Sequence, residues 1–226
     1  MANLTRGKNF EAQKSKVLHI VARKFLEKGY HETTMKQIAS DSEMALGSLV
    51  NIFKNKEGIL AELVAYVLEC QYETVQKLLD GKTDDKIFFY AAETVLQLHM
   101  AESSEHMREM YSVSYTLPET SRVIYQTITK KLEYIFAEHL PTLETKDFYC
   151  LELAAGGITR SFMTVPCDVF FTMEMKTEKF LQALLRIYLV PEDKIAETVE
   201  FLKQFDFVSL AGETIDNMLS YLESKV

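Results

Sequence analysis

Apolar positions recur at helical spacing almost from end to end of this chain. Phe10, Val17, Leu18, Val21, Ala22, Phe25 and Leu26, with Lys14 among them, mark one face of a first helix. Gly29 follows at the place where a residue of positive φ usually closes a helix. Thr34-Met35-Lys36-Gln37 reads as a capping box, with Thr34 as N-cap, and predicts a second helix running to about Asp41. A short third helix is expected from about Ala45 to Phe53. From Asn55 as N-cap, Ile59, Leu60, Leu63, Val64, Val67, Leu68, Val75 and Leu78 trace a long fourth helix that stops at Asp80-Gly81. Seven more helices are predicted at roughly 84–101, 105–114, 119–139, 146–164, 172–189, 192–204 and 210–224. Pro118, Pro141, Pro166 and Pro191 fall at joins between them. No repeat period, low-complexity tract or flexible linker interrupts the pattern. The reading is all-α: an N-terminal three-helix head over 1–54 on a larger helical body over 55–226.

Composition agrees and adds detail. Eight Gly and four Pro in 226 residues argue against a many-turned β sandwich and a glycine-rich nucleotide fold. Ten Met, fourteen Phe and eleven Tyr, with no Trp, suit an adaptable apolar interior. The formal charge of −8 is unevenly spread. Residues 1–56 hold ten Lys/Arg and five Asp/Glu; the remainder holds fifteen and twenty-eight. Such polarity points the front of the chain at an anion. Cys70, Cys150 and Cys167 lie far apart and are read as buried free thiols of a reducing cytoplasm. No apolar leader opens the sequence. The longest apolar stretch, near Leu151 to Val165, is broken by Glu152 and Arg160, so no membrane span is expected and the localisation read is cytoplasmic.

Three short helices separated by a glycine and a short turn match a helix-turn-helix head, whose third helix would enter the major groove of DNA. Ala22, Phe25, Gly29-Tyr30, Thr33-Thr34, Ile38-Ala39, Gly47, Leu49, Phe53 and Lys56-Glu57 occur in order and at a spacing that resembles the TetR/AcrR family of bacterial transcriptional regulators. The resemblance covers about 45 residues. Phe25, Ile38, Leu49 and Phe53 would form the small core of the head, with the Tyr30 ring against it. The expected DNA-binding set is Thr33, Thr34, Lys36, Leu46, Gly47, Ser48, Asn51, Lys54 and Lys56. Thr33 and Thr34 would offer hydroxyl and backbone N–H groups to a phosphate, as would Lys56 with its ammonium. Gly47 would let the helix approach closely; Leu46, Ser48 and Asn51 would face base edges, or merely solvent. Ala45, Val50, Ile52 and Glu43 stand where the family commonly has Ser, two phosphate-binding aromatic or imidazole groups, and Gly. The basic arm of Arg6, Lys8 and Lys14 is a candidate compensation.

The resemblance implies a body that binds a small-molecule effector and pairs with a second copy, giving a homodimer on palindromic double-stranded DNA, most commonly as a repressor. Phe88, Met107, Met110, Tyr111, Tyr115, Arg160 and Met163 are the expected effector-binding residues, with Phe89, Met100 and Phe162 nearby; plain core is the alternative. Arg160 would await an anionic ligand, or else form an internal salt bridge or lie at the surface. Gly156, Gly157, Leu181, Leu184 and Tyr188 are expected at a dimer interface through roughly 148–163 and 174–189, because two glycines in a helix cost about 1 kcal/mol each relative to Ala and need a close neighbour. Packing within the chain, or an interface on the last two helices, are the alternatives. His99, Glu102 and His106 share a helix face, but Ser103-Ser104 breaks the helix between them, so no metal and no cofactor are expected. His31-Glu32 has Met35 where a zinc motif needs His, and no nucleophile elbow or phosphate loop occurs. The competing functions are a helical regulator that has lost DNA binding and acts through a protein partner, and a helical-bundle enzyme.

Overall fold

A computed structural model describes the backbone of residues 2–224 and the side chains of residues 10–224. Among the described residues there are eleven helices and no strand. The head comprises α1 (Ala2–Lys28), α2 (Met35–Asp41) and α3 (Leu46–Phe53). Gly29 (φ 81°) closes α1, and a side chain there would collide with the carboxylate of Glu109. Thr34 and Gln37 make both bonds of the expected capping box at α2. Glu43, at φ 54°, turns the chain between α2 and α3 in the left-handed region that glycine would enter without strain. Ala45 precedes α3 with no side-chain cap, whereas the Asn55 side chain accepts the Gly58 N–H to start α4 (Lys56–Leu79).

The body continues with α5 (Lys86–Glu102), α6 (Glu105–Ser114), α7 (Pro118–Phe136), α8 (Thr145–Thr164), α9 (Met173–Ile187), α10 (Glu192–Leu202) and α11 (Phe207–Ser224). Pro118 occupies the first turn of α7 and Pro191 the N-cap of α10, where a missing N–H costs nothing. Helix α5 is the hub. It is buried on nearly every side, between α4, α6, α9, α10 and α11, and a helix buried all round must be apolar or internally paired on every face.

Head and body share one apolar core. Phe25, Ile38, Leu49 and Phe53 pack together as expected, and the Tyr30 ring meets Phe25 edge-on at 5.3 Å. The same cluster takes in Leu60 and Leu63 of α4, Val113 of α6, and Met218 and Leu222 of α11. The last helix therefore returns to clasp the first, and the Tyr221 ring lies tilted against Tyr66 with centroids 5.1 Å apart.

The dimer expectation needs correction here. Leu181, Leu184 and Tyr188 are fully buried within the chain, Leu184 and Tyr188 among α5, α7 and α8 and Leu181 among α5, α10 and α11. Gly156 is also internal: a Cβ there would lie 2.6 Å from the Tyr125 ring. Gly157, one residue on, has open space around it. The two adjacent glycines thus answer to different neighbours, because successive residues of an α-helix point about 100° apart. The Cys150 thiol, expected to be buried, is exposed, while Cys70 and Cys167 are partly covered. No described helix is long and apolar enough to cross a membrane.

Candidate functional site

The DNA-facing candidate is the outer surface of α3. Leu49 and Phe53 point inward and fix the helix on the head core, while Leu46, Gly47, Ser48, Val50, Asn51 and Lys54 are exposed. A Cβ at Gly47 would meet nothing within 4 Å, so the backbone there is open to a close partner. Leu46 is 39% exposed and Val50 41%, one helical turn apart, with Asn51 beside them. The exposed face thus includes Val50, a position whose residue type does not signal DNA but whose register with Leu46 does place it there. Ile52 is partly buried against the head core. Lys54 caps α3 at φ 64° and is exposed, as is Lys36 on α2.

Two expected phosphate ligands are engaged inside the head. Thr33 is buried, and its hydroxyl donates to the Gly29 carbonyl at 2.8 Å. It has no hydroxyl left for DNA. Thr34 stays exposed; its oxygen accepts the Gln37 N–H at 3.3 Å and its hydroxyl donates to the Gln37 side-chain oxygen at 2.9 Å. The Lys56 ammonium donates to the carbonyls of Tyr30 (2.7 Å) and Thr33 (2.8 Å) and sits 4.1 Å from the centre of the Tyr30 ring. Burial lowers the Lys56 pKa, against the opposing pull of Glu109 and Glu32. Lys56 therefore ties the turn after α1 to the start of α4. Of the basic arm, Lys14 pairs with Glu62 at 2.8 Å, and the side chains of Arg6 and Lys8 lie outside the described residues.

These observations set a helix-turn-helix head with an exposed third helix beside comparisons with known proteins. Residues 21–63 match the family model described as "Bacterial regulatory proteins, tetR family". The head therefore carries a TetR-type sequence match over those residues. It is also similar to the probable HTH-type transcriptional regulator YttP of Bacillus subtilis (strain 168), 23% identical over 181 residues, which span 79% of this chain and 78% of that protein. The matched segment ends inside α4, beyond the first three helices, in keeping with the shared core of head and body.

In the body, a cavity of about 70 Å³ lies between α1, α4, α5, α6 and α11. Met107, Met110, Tyr111 and Tyr115 line it as expected, joined by Met100, Gln71 and Gln97. The other effector candidates lie elsewhere. Phe88 stacks on Phe201 of α10 at 4.3 Å, and Met163 is fully buried in the core beside α9. Arg160 is exposed on α8 and donates to the Thr116 hydroxyl at 3.0 Å, so it is a surface cation. Gln71 and Gln97 escaped notice because a glutamine in an amphipathic helix reads as a solvated position. Only the packing of α4 against α5 turns both inward.

Helix α6 lies between this cavity and the head. Its inner face carries Met107, Met110 and Tyr111; its other face holds the end of α1. The His106 ring bonds the Leu26 carbonyl at 2.8 Å, and Glu109 accepts the His31 N–H at 2.8 Å. The three residues noted for metal chemistry are not gathered. Glu102 pairs with Lys176 (2.7 Å) and Arg108 (3.0 Å), and His99 stacks by Phe207, where burial lowers its pKa to about 4.

Proposed function

We propose that this chain is a DNA-binding transcription regulator of the repressor type, cytoplasmic, which binds a palindromic operator as a homodimer and leaves it when a small molecule occupies the body. The observation that carries this reading is the surface of α3: Leu46, Ser48 and Asn51 stand exposed around an open Gly47 on a helix pinned from behind by Leu49 and Phe53. Asn51 can pair with adenine in bidentate fashion, Ser48 is a tolerant donor or acceptor, and Leu46 and Val50 suit thymine methyls. Lys36 and Lys54 are the phosphate contacts of this reading, and the exposed Thr34 hydroxyl joins them by turning from the Gln37 side-chain oxygen to a phosphate.

The division of labour follows 1–54 for DNA and 55–226 for effector and dimer. The dimer face is the outer side of α8, where Tyr149, Leu153, Ala154, Gly157 and Ser161 are exposed, together with Met175 of α9. Small residues there let a second copy approach closely, and a two-fold interface matches an inverted-repeat operator. Enlarging the cavity would press on α6, and through His106 and Glu109 on the end of α1, changing the spacing of the two heads.

Footprinting on the DNA upstream of the chain's own gene tests the reading. Protection of an inverted repeat, relaxed at one base pair per half-site by Asn51→Ala, is the expected result. An identical footprint for the variant would remove Asn51 from the interface. A second reading, in which α3 docks on a protein partner, draws on the exposed Leu46 and Val50. It requires that the head fail to bind duplex DNA even at low salt.

A further inference from the structure

Glu152 lies on the inner side of α8 and is 4% exposed. Its carboxyl accepts a hydrogen bond from the Tyr188 hydroxyl at 3.2 Å. A small hollow beside it, about 20 Å³, is walled by Tyr90, Glu93, Gln97, Tyr115 and Lys131. Glu93 is 3% exposed and pairs with Lys131 at 2.7 Å. The cluster thus contains two buried carboxylates and one ammonium. With both acids ionised it is one positive charge short, and an uncompensated buried charge is costly.

The neighbouring cavity repeats the demand. Gln97 and Tyr115 line both spaces. In the larger one, Gln71 gives its amide N–H groups to the Tyr111 hydroxyl (2.6 Å) and the Met100 sulfur (3.3 Å), leaving its buried carbonyl oxygen without a hydrogen-bond partner. Native interiors rarely leave such an acceptor unmade. Both spaces therefore present acceptors, one formally anionic, in a wall otherwise built of aromatic and Met side chains that can shift to enlarge it.

We propose that the Glu152 hollow and the adjoining cavity together form a binding site for a protonated amine with an apolar chain. The ammonium sits against the Glu152 carboxylate beneath the Tyr90 and Tyr115 rings, which face cations favourably. The apolar chain fills the space among Leu63, Val67 and Met110. This rests on the reading of the body as the effector domain and names the chemical class of the effector.

The empty site copes by keeping Glu152 protonated. Burial raises its pKa to about 8, the Tyr188 hydrogen bond lowers it, and Glu93 raises it. The charged and titratable groups facing it are Glu93 and Tyr90 of α5, Tyr115 after α6, Lys131 and Tyr125 of α7, and Tyr188 after α9. Amine binding at pH 7 then displaces the Glu152 proton into solvent.

Isothermal titration of the full chain with n-hexylamine, 1-hexanol and hexanoate at pH 7 tests this. Hexylamine should bind at least tenfold tighter than the other two and release close to one proton, read from buffers of different ionisation enthalpy. Glu152→Gln should abolish the preference and the proton release while 1-hexanol still binds. Hexanol binding as tightly as hexylamine to the unaltered chain would overturn the proposal and leave the body's role as effector domain standing. Failure of all three probes to bind would overturn both. The ligand series requires no variant, so a poorly folded Glu152→Gln does not protect the idea.

Discussion

Head and body solve opposite problems with the same element. The head buries Phe25, Ile38, Leu49 and Phe53, turns the polar atoms of Thr33 and Lys56 onto its own carbonyls, and leaves the chemistry of α3 facing out. The body turns its chemistry inward: Gln71, Glu93, Gln97 and Glu152 are all buried, the Gln71 carbonyl oxygen has no partner, and Glu152 accepts from Tyr188. A surface that must read a large, charged duplex needs rigid, exposed groups. A cavity that must respond to a small molecule needs buried groups that its arrival satisfies.

The largest expected effect that separates the two regions is a pH dependence belonging to the body. The folded chain holds the Glu152 proton up to about pH 8, because burial disfavours the carboxylate, whereas a carboxyl of an unfolded chain releases it near 4.5. Stability should therefore fall as pH rises from 4.5 to about 8, by on the order of a few kcal/mol, and level off above. Chemical denaturation across that window should show the decline, and Glu152→Gln should make it shallower, leaving the smaller part that burial of Glu93 contributes. A profile equally steep in the variant would assign the effect elsewhere.

Next come the paired glycines of α8. Gly156→Leu drives a side chain into Tyr125 and should destabilise the chain by about 1–3 kcal/mol. Gly157→Leu adds bulk to an open face. It should retain the helical circular-dichroism signal and convert dimers to monomers in sedimentation. Equal destabilisation by both would contradict the placement of the two faces.

In the head, Lys56→Ala removes two charge-assisted hydrogen bonds and should cost about 1.5–3 kcal/mol of stability, with affinity for every DNA sequence falling together. An unchanged melting midpoint would return Lys56 to the role of a pure phosphate ligand. Asn51→Ala should instead keep stability and lose about 1–3 kcal/mol of discrimination at one base pair. The smallest expected effect is Glu43→Gly, which relieves the positive φ and removes an acid from the DNA side. It should stabilise the head by up to about 1 kcal/mol and tighten non-specific DNA binding.

The comparison also explains what the sequence made legible. Head signals are local: Gly29 at φ 81°, the Thr34–Gln37 box and the Asn55 cap each act within a few residues, so α1 to α4 end close to where they are expected. Pro118 and Pro191 fix helix starts in the body for the same reason. Periodicity shows that a helix has an apolar side, but not whether that side meets its own chain or a second copy. Leu181, Leu184 and Tyr188 were assigned to the second copy and lie in the chain's own core. Arg160 and Glu152 both interrupt the apolar run of α8; one is exposed and the other buried, and only tertiary packing decides which. Thr33 and Lys56 carried the right chemistry for phosphate, but a nearby carbonyl had claimed each.

The central claim, that the exposed face of α3 reads duplex DNA, is met most directly by fluorescence anisotropy of the purified chain on its own upstream DNA, titrated with salt. The account predicts a steep linear fall of log affinity with log salt, and binding to an inverted repeat tighter than to scrambled duplex by about a thousandfold or more. Absence of binding to either duplex at low salt would contradict it.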